Sequence, residues 1–141
     1  MISFEEELAK SGKLVYTTVG VSMNPMIEQD RDISIISRPE GRLKKYDVAL
    51  YKRPNGQYVL HRVVKVREND YVILGDNCAS KEYGITDSQI LGVLTSLRRN
   101  GKELDLNSFG YKLYVRARYA HFPVRVIIAR LKRLARKILK R

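Results

Sequence analysis

The sequence predicts a mainly β protein: an antiparallel, partly closed β-sheet or barrel, preceded by a short helix and followed by a basic amphipathic helical tail. Short β-branched and aromatic runs follow one another up to about residue 106, and turn residues separate them. After Gly110 the apolar spacing becomes helical. A chain of 141 residues, 44% of them hydrophobic and 30% charged, has the size and composition of a globular domain with one core of moderate volume.

Each element has a local reason in the sequence. Ser3 followed three residues later by Glu6 is a capping box, which predicts a short helix that ends near Gly12. The β-type runs predict strands at residues 14–19, 32–37, 46–51, 58–66, 71–74, 93–97 and 103–106. The turn Pro54-Asn55-Gly56 predicts that the strands on either side of it form a hairpin.

The positive charge is concentrated at one end of the chain, whose formal net charge is +12. Residues 1–110 contain 16 basic and 15 acidic side chains, whereas residues 111–141 contain 11 basic ones and no acidic one. We therefore predict a nearly neutral domain over residues 1–110, with its core at 14–97, and a basic tail over 111–141. Because the charge is not spread over the domain, nucleic acid is disfavoured as the partner.

The tail has a helical pattern of its own. Beyond Pro123, Lys and Arg alternate with an apolar stripe made of Val124, Ile127, Ile128, Leu131, Leu134, Ala135 and Ile138. This pattern predicts a basic amphipathic helix from Val124 to Arg141. Three hypotheses stay open for it: the helix lies on an anionic membrane surface, it packs on the domain itself, or its charges bind nucleic acid.

Several classes of protein are disfavoured by what the sequence does not contain. Cys78 is the only cysteine, so no internal disulfide can form. Met1 to Gly12 lacks the apolar run of a signal peptide, and no apolar stretch approaches the length that spans a bilayer. Zinc-ligand spacing, a phosphate-binding loop and a dinucleotide fingerprint are also missing. We expect a cytoplasmic protein, with or without peripheral attachment to the inner face of the membrane, that uses no metal or cofactor.

The first candidate for chemistry is Ser22, in the segment Gly20-Val21-Ser22-Met23-Asn24-Pro25 after the first predicted strand. A serine on a turn between glycine and proline can expose its hydroxyl and its backbone N–H together, as a nucleophile must. Serine needs a base to remove its proton. The alternative is a purely structural turn, which this segment alone would favour.

His61 is the better placed of two candidate bases. Strict alternation along 58–66 puts it on one face with Val59 and Val63, so it is expected to be partly buried and neutral. The alternative is a core histidine that donates to a backbone carbonyl. The other histidine, His121, lies in an aromatic stretch before Pro123, where an interfacial role is favoured.

Carboxylates after the strand 71–74 could orient His61 through its second ring nitrogen. Asp76 follows that strand directly, Glu82 comes six residues later, and Asp87 is more remote. An Asp-Asn hairpin turn is the alternative explanation of Asp76.

Five blocks, in this order, resemble the signal peptidase I and LexA-like serine peptidase superfamily. They are Gly20-Val21-Ser22-Met23-Asn24-Pro25, Asp47-Val48-Ala49-Leu50-Tyr51, Val59-Leu60-His61-Arg62-Val63-Val64, Leu74-Gly75-Asp76-Asn77 and Ile90-Leu91-Gly92-Val93. Histidine at the position of the base is similar to the endoplasmic-reticulum and SipW-type signal peptidases, since the bacterial housekeeping enzymes and LexA-like autoproteases have lysine there. The resemblance covers roughly residues 14–97.

The resemblance implies a peptidase fold in which Ser22 is the nucleophile, His61 is the general base and the peptide substrate binds as an extended strand. Gly20, Met23 and Pro25 would position the serine turn, and the backbone N–H of Ser22 would help to hold the oxyanion. The orienting carboxylate stays open: Asp76 matches the Gly-Asp-Asn block, and Glu82 falls at the spacing of the acidic residue in the His-type enzymes.

We therefore expect a serine endopeptidase that cleaves an extended peptide, such as a leader or signal-like segment, by acyl transfer. The membrane anchor of signal peptidases is not recognisable in this sequence, which favours a cytosolic peptide as substrate. Two other hypotheses come from different classes of protein. One is a non-catalytic module of the same fold that binds peptides or a membrane surface, and the other is a nucleic-acid binder that uses the tail.

Overall fold

The computed structural model of the protein describes residues 3–140. It contains three α-helices and eight β-strands. They are α1 (Phe4–Ser11), β1 (Lys13–Tyr16), β2 (Asp32–Ser37), β3 (Val48–Lys52), β4 (Tyr58–Val66), β5 (Tyr71–Leu74), β6 (Glu82–Ile85), β7 (Ile90–Arg99), β8 (Lys102–Leu104), α2 (Phe109–Ala120) and α3 (Phe122–Leu139), with a short 3-10 helix (Asp87–Gln89) before β7.

The strands form one antiparallel sheet in the order β1-β2-β7-β3-β4-β5-β6, and β8 pairs with β7. The predicted mainly antiparallel β architecture is thus confirmed. The predicted closure is not observed, because β1 and β6 lie at opposite ends of the strand order and do not pair within the described residues. An open sheet leaves the outer edges of these two strands available to a further strand.

Local signals in the sequence explain the helix and hairpin that formed as predicted. The Ser3 hydroxyl accepts a hydrogen bond from the Glu6 N–H, and Gly12 closes α1 in a left-handed conformation with φ of 76°. β2, β4 and β5 have the predicted bounds, and β3 and β4 pair across the Pro54-Asn55-Gly56 turn.

Other details of the predicted strands are wrong. The strands expected at 46–51, 93–97 and 103–106 have other bounds, since β3, β7 and β8 span 48–52, 90–99 and 102–104. The strand expected at 14–19 ends at Tyr16, and the chain then runs as a loop in which the Gly20 N–H donates to the Gln29 side chain. β6 was not predicted, because Glu82-Tyr83-Gly84-Ile85 lacks apolar alternation and pairs only with β5. The strict alternation expected along β4 breaks at a register shift between Val63 and Lys65, which is a bulge against β5.

Two strands are almost entirely buried: β3, in the middle of the strand order, and β5, beside the edge strand β6. β3 is buried except at Lys52, and β5 is buried throughout. One apolar cluster joins the strands, and it consists of Leu43, Ala49, Tyr51, Val59, Val63, Tyr71, Ile73 and Ile85. Val59 and Val63 belong to β4 and lie two residues before and two residues after His61. The strand that carries the predicted base therefore contributes to the core.

The chain divides into two compact units, of which the first ends at Leu106 and the second begins at Asn107. The second unit holds α2 and α3. Pro123 lies in the first turn of α3, where a missing N–H costs no helical hydrogen bond, so a new helix begins at Phe122 instead of Val124. Among residues 3–140, none of the helices has both the length and the apolar character needed to cross a bilayer.

Candidate active site

Ser22 lies on a turn that buried neighbours anchor from both sides. The Asn24 N–H donates to the Val21 carbonyl over 3.1 Å, and the Ile27 N–H donates to the Met23 carbonyl over 3.0 Å. Met23 and Ile27 are buried, whereas Ser22 is partly exposed. The turn therefore fixes the backbone around Ser22, and the residue as a whole stays partly accessible to solvent.

Three further residues were predicted to position this turn. Gly20 has a φ of 92°, a left-handed conformation that favours glycine. The sulfur of Met23 accepts from the Asp76 N–H over 3.4 Å in the interior. Pro25 follows a cis peptide bond after Asn24.

The loop after β5 holds the serine turn by its backbone. The Asn77 N–H donates to the Ser22 carbonyl over 2.8 Å, and the Asn77 side-chain amide donates to the Val21 carbonyl over 3.0 Å. The loop is itself closed by a hydrogen bond of 2.9 Å from the Cys78 N–H to the Gly75 carbonyl. Two segments more than fifty residues apart in sequence are thus joined at Ser22.

Gly75 lies close to both the backbone of Ser22 and the ring of His61. A methyl group added to its Cα would lie 2.7 Å from the carbonyl oxygen of Ser22, 2.6 Å from the Cys78 sulfur and 3.1 Å from Cδ2 of the His61 ring. The serine backbone and the imidazole therefore border the same small volume, which is open only because residue 75 has no side chain. Among residues 3–140, no hydrogen bond directly joins the Ser22 hydroxyl to the His61 ring.

His61 is held on β4 opposite Ala49 of β3, and its ring meets the ring of Tyr51 edge-to-face with centroids 6.5 Å apart. Burial, together with the positive charge of Arg53, lowers the pKa of His61 to about 4. The negative charges of Glu82 and Asp76 act in the opposite direction and are outweighed. His61 is consequently neutral at physiological pH, as a general base must be.

Asp76 forms a buried ion pair with Arg62. Its two carboxylate oxygens accept from Nε and Nη2 of Arg62 over 2.9 and 3.0 Å, and neither side chain reaches solvent. Arg62 also donates to the backbone carbonyl of Tyr46. This bidentate pair joins the loop after β5 to β4 in the interior, so Asp76 fixes the distance between the segments that carry Ser22 and His61.

Glu82 lies at the start of β6, within a polar cluster beside His61. It accepts a hydrogen bond of 2.7 Å from the Tyr51 hydroxyl, and the Arg53 guanidinium binds both of its oxygens, over 2.9 and 3.2 Å. Burial by itself would raise the pKa of Glu82, but the hydrogen bonds from Arg53 and Tyr51 outweigh burial and lower it. Glu82 is therefore an ionised carboxylate that binds the hydroxyl of Tyr51, and the ring of Tyr51 in turn packs against the ring of His61.

Asp87, the most remote carboxylate considered, lies on the 3-10 helix. It accepts a hydrogen bond from the Tyr71 hydroxyl and forms an ion pair of 3.3 Å with Arg42. Neither partner contacts Ser22 or His61 in a described interaction, so Asp87 stays outside the site.

Four residues of the site were missed by reasoning from the sequence: Tyr51, Arg53, Arg62 and Gly75. A signal existed for Arg62, because it falls between Leu60 and Val64 on an apolar face of β4, where a buried guanidinium needs a carboxylate. Tyr51 and Arg53 gave no such signal, since their positions relative to Glu82 depend on the unpredicted strand β6.

Two further features of the described residues bear on ligand binding. Within the described part of the chain, no three His, Cys, Asp or Glu side chains converge as metal ligands would. A cavity of about 570 Å³ lies between α1 and the β3–β4 turn, and its lining includes Arg53 but neither Ser22 nor His61.

Comparisons of the chain with protein-family models, with curated proteins and with solved structures find no match. The geometry of Ser22, His61 and their neighbours is therefore the structural basis for assigning a class of protein.

Proposed function

We propose that the protein is a serine endopeptidase that cleaves an extended peptide by acyl transfer, with Ser22 as nucleophile and His61 as general base. The observation that carries this proposal is the volume beside Gly75, which the Ser22 backbone and the His61 ring border together. Nucleophilic catalysis by serine needs an accessible hydroxyl and a neutral base, and here a partly exposed serine and a neutral imidazole border the same volume. The motif resemblance to signal peptidase and LexA-like enzymes supports the same assignment and the corresponding fold.

In the proposed reaction His61 accepts the proton of the Ser22 hydroxyl while the serine oxygen attacks the carbonyl carbon of the scissile peptide bond. The negative charge that develops on the carbonyl oxygen is held by the backbone N–H of Ser22. His61 then gives the proton to the departing amine, and the C–N bond breaks. A water molecule, deprotonated by His61, attacks the acyl ester, and the proton returns to Ser22 as the carboxylic acid product leaves.

Glu82 is the carboxylate that we assign to support His61. Glu82 binds the tyrosine whose ring packs edge-to-face on the imidazole, whereas the contact that holds Asp76 is its buried ion pair with Arg62. The negative charge of Glu82 stabilises the imidazolium that forms during the reaction. Its role is positioning and electrostatic support through Tyr51.

The substrate would bind along the loop between β1 and Ser22. Val19 and Val21 are 85% and 62% exposed, and they lie immediately before the proposed nucleophile. Hydrogen bonds to Gln29 and Asn77 hold the backbone of this loop. A fixed backbone with outward apolar side chains suits an extended peptide that pairs along the loop and contacts the two valines.

The proposal is tested by incubating the purified chain with a broad library of extended peptides and identifying the products by mass spectrometry. We expect wild type to cleave a subset of the library, and Ser22→Ala and His61→Ala to lower kcat/KM by at least about 10³-fold. His121→Ala and Ser88→Ala are the matched controls, since each removes the same kind of side chain elsewhere, and both should keep the wild-type rate.

Two outcomes would overturn the peptidase assignment. One is cleavage by Ser22→Ala at the wild-type rate, which would identify a contaminating peptidase. The other is binding of library peptides by wild type and Ser22→Ala with no product from either, which would identify a non-catalytic peptide-binding module.

A further inference from the structure

The helix α3 exposes a continuous apolar stripe. Apart from the neighbours Ile127 and Ile128, successive members are three or four residues apart, so the set lies on one face of the helix. They are Val124, Ile127, Ile128, Leu131, Leu134 and Ile138, which are 51%, 55%, 46%, 59%, 55% and 62% exposed. Leu139 extends the stripe and is 84% exposed. Six or seven large aliphatic side chains in a row are more than the scattered exposed residues of an ordinary surface.

The opposite side of α3 has a different character. Its partly buried positions are Phe122, Arg125, Val126 and Ala129, which recur at helical spacing and face away from the stripe. The rest of that side and its flanks carry the basic residues Arg130, Lys132, Arg133, Arg136 and Lys137. The partly buried side of α3 is thus the side opposite the stripe. Basic residues border the stripe on both flanks.

Charge decides which partner fits this face. A second copy of α3 would bring two strongly basic helices together, and the absence of any acidic residue from 111 to 141 leaves nothing to offset their repulsion. A nucleic acid would engage the basic side and leave the apolar stripe in water. An anionic lipid surface satisfies both at once, because the acyl region receives the aliphatic side chains and the headgroups receive the flanking Lys and Arg.

We infer that α3 is an interfacial anchor that holds the protein on anionic membranes, lying in the plane of the surface with Ile127, Leu131 and Ile138 inserted below the headgroups. The helix of 18 residues is about 27 Å long at about 1.5 Å per residue, so the stripe enters the lipid along its whole length. This inference goes beyond the proposed peptidase activity and does not depend on Ser22 or His61.

The first experiment measures co-sedimentation of the full chain with vesicles of phosphatidylcholine alone or mixed with phosphatidylglycerol. We expect binding to the mixed vesicles and weak binding to phosphatidylcholine. Ile127→Gln/Leu131→Gln keeps the net charge and should weaken binding about tenfold or more, because it removes two inserted side chains. The matched control is Ile33→Gln/Val66→Gln, which changes two exposed apolar residues of the sheet, 41% and 38% exposed, and should bind like wild type.

The second experiment uses the lack of tryptophan in the sequence. In Leu131→Trp/Arg133→Gln the new indole lies on the stripe, and in Arg133→Trp it lies on the basic side, with the same net charge in both. Mixed vesicles should shift the emission of the first variant to shorter wavelength, and brominated lipids should quench it. The second variant should show neither effect beyond a small change.

Three results would overturn the inference. Equal binding of wild type and Ile127→Gln/Leu131→Gln would show adsorption by charge alone. Equal emission shifts of the two tryptophan variants would contradict insertion by the stripe. Displacement from the vesicles by a short duplex DNA, with tight binding to that DNA and no need for lipid, would identify a nucleic-acid tail. Ser22→Ala should bind vesicles like wild type, so failure of the peptidase proposal would leave this test unaffected.

Discussion

The guanidinium of Arg62 and the carboxylate of Asp76 form a bidentate ion pair from which solvent is excluded on both sides. Arg62 is next to the proposed base on β4, and Asp76 belongs to the loop that holds Ser22 by its backbone. The pair therefore acts as a brace between the two halves of the site. Its removal should affect the stability of the fold more than the chemistry of the reaction.

We expect Asp76→Asn to lower the free energy of unfolding by about 3 to 5 kcal/mol, because it leaves the Arg62 charge buried without its counter-ion. Urea unfolding followed by circular dichroism measures this change. Lys52→Gln is the control, since it breaks the ion pair with Glu5, whose two side chains are 44% and 41% exposed, and should cost less than about 1 kcal/mol. A loss for Asp76→Asn as small as that of Lys52→Gln would contradict a bracing role.

Gly75→Ala should damage both the fold and the activity. The new methyl group would lie 2.7 Å from the Ser22 carbonyl oxygen, a backbone atom that cannot move without shifting the serine turn. We expect a loss of about 1 to 3 kcal/mol in unfolding free energy and a fall in kcat per folded molecule.

The control for Gly75→Ala is Gly92→Ala, which is as crowded but lies elsewhere in the sheet, where the methyl group would be 2.8 Å from the Ser37 carbonyl oxygen. It should lose comparable stability and keep its kcat at a temperature at which it is folded. If the two variants lose kcat equally, the volume beside Gly75 that Ser22 and His61 border does not matter for catalysis.

Glu82→Gln should lower kcat about 10-fold to 100-fold, because it removes the negative charge that stabilises protonated His61. The same change should move the pKa of His61 further down, so the acid limb of the pH–kcat/KM profile shifts to lower pH. Glu5→Gln is the matched control: Glu5 also accepts from a tyrosine hydroxyl, that of Tyr58, and pairs with a cation, Lys52. A reduced rate without any shift of the pH profile would assign Glu82 a merely structural role.

The depressed pKa of His61 predicts how stability depends on pH. The folded protein binds this proton at about pH 4, whereas the unfolded chain binds it near 6.5. The unfolded state therefore holds more protons between these values, and the stability that neutral His61 contributes is complete above about pH 6.5 and lost as the pH falls towards 4. By pH 5 the loss should be about 1 to 2 kcal/mol.

Urea unfolding at pH 7, 6 and 5 tests this dependence by comparing wild type with His61→Gln. The variant should lose less stability over that interval, because Gln does not titrate. His121→Gln serves as the control and should follow wild type. Parallel pH profiles for wild type and His61→Gln would contradict a buried, neutral His61.

Local patterns in the sequence were sufficient for much of the fold, and particular residues show why. The capping box of Ser3 and Glu6 determined α1, and the turn at residues 54–56 determined the β3–β4 hairpin, since both depend on interactions a few residues apart. The tail likewise follows from spacing alone, apart from the start of α3 at Phe122. β6 was not predicted because Glu82-Tyr83-Gly84-Ile85 has no strand pattern of its own. It is a strand because it pairs with the edge of β5.

The sequence by itself determined which residues were candidates for chemistry: one serine turn, one histidine on a long strand, and carboxylates after the next strand. Only the tertiary structure decided their partners. Asp76 pairs with Arg62, Glu82 binds Tyr51 and Arg53, and the Ser22 carbonyl oxygen and the His61 ring both border the volume beside Gly75. The physical reason is that periodicity specifies which face of a strand a side chain occupies, whereas the pairing of buried charges depends on which strands become neighbours.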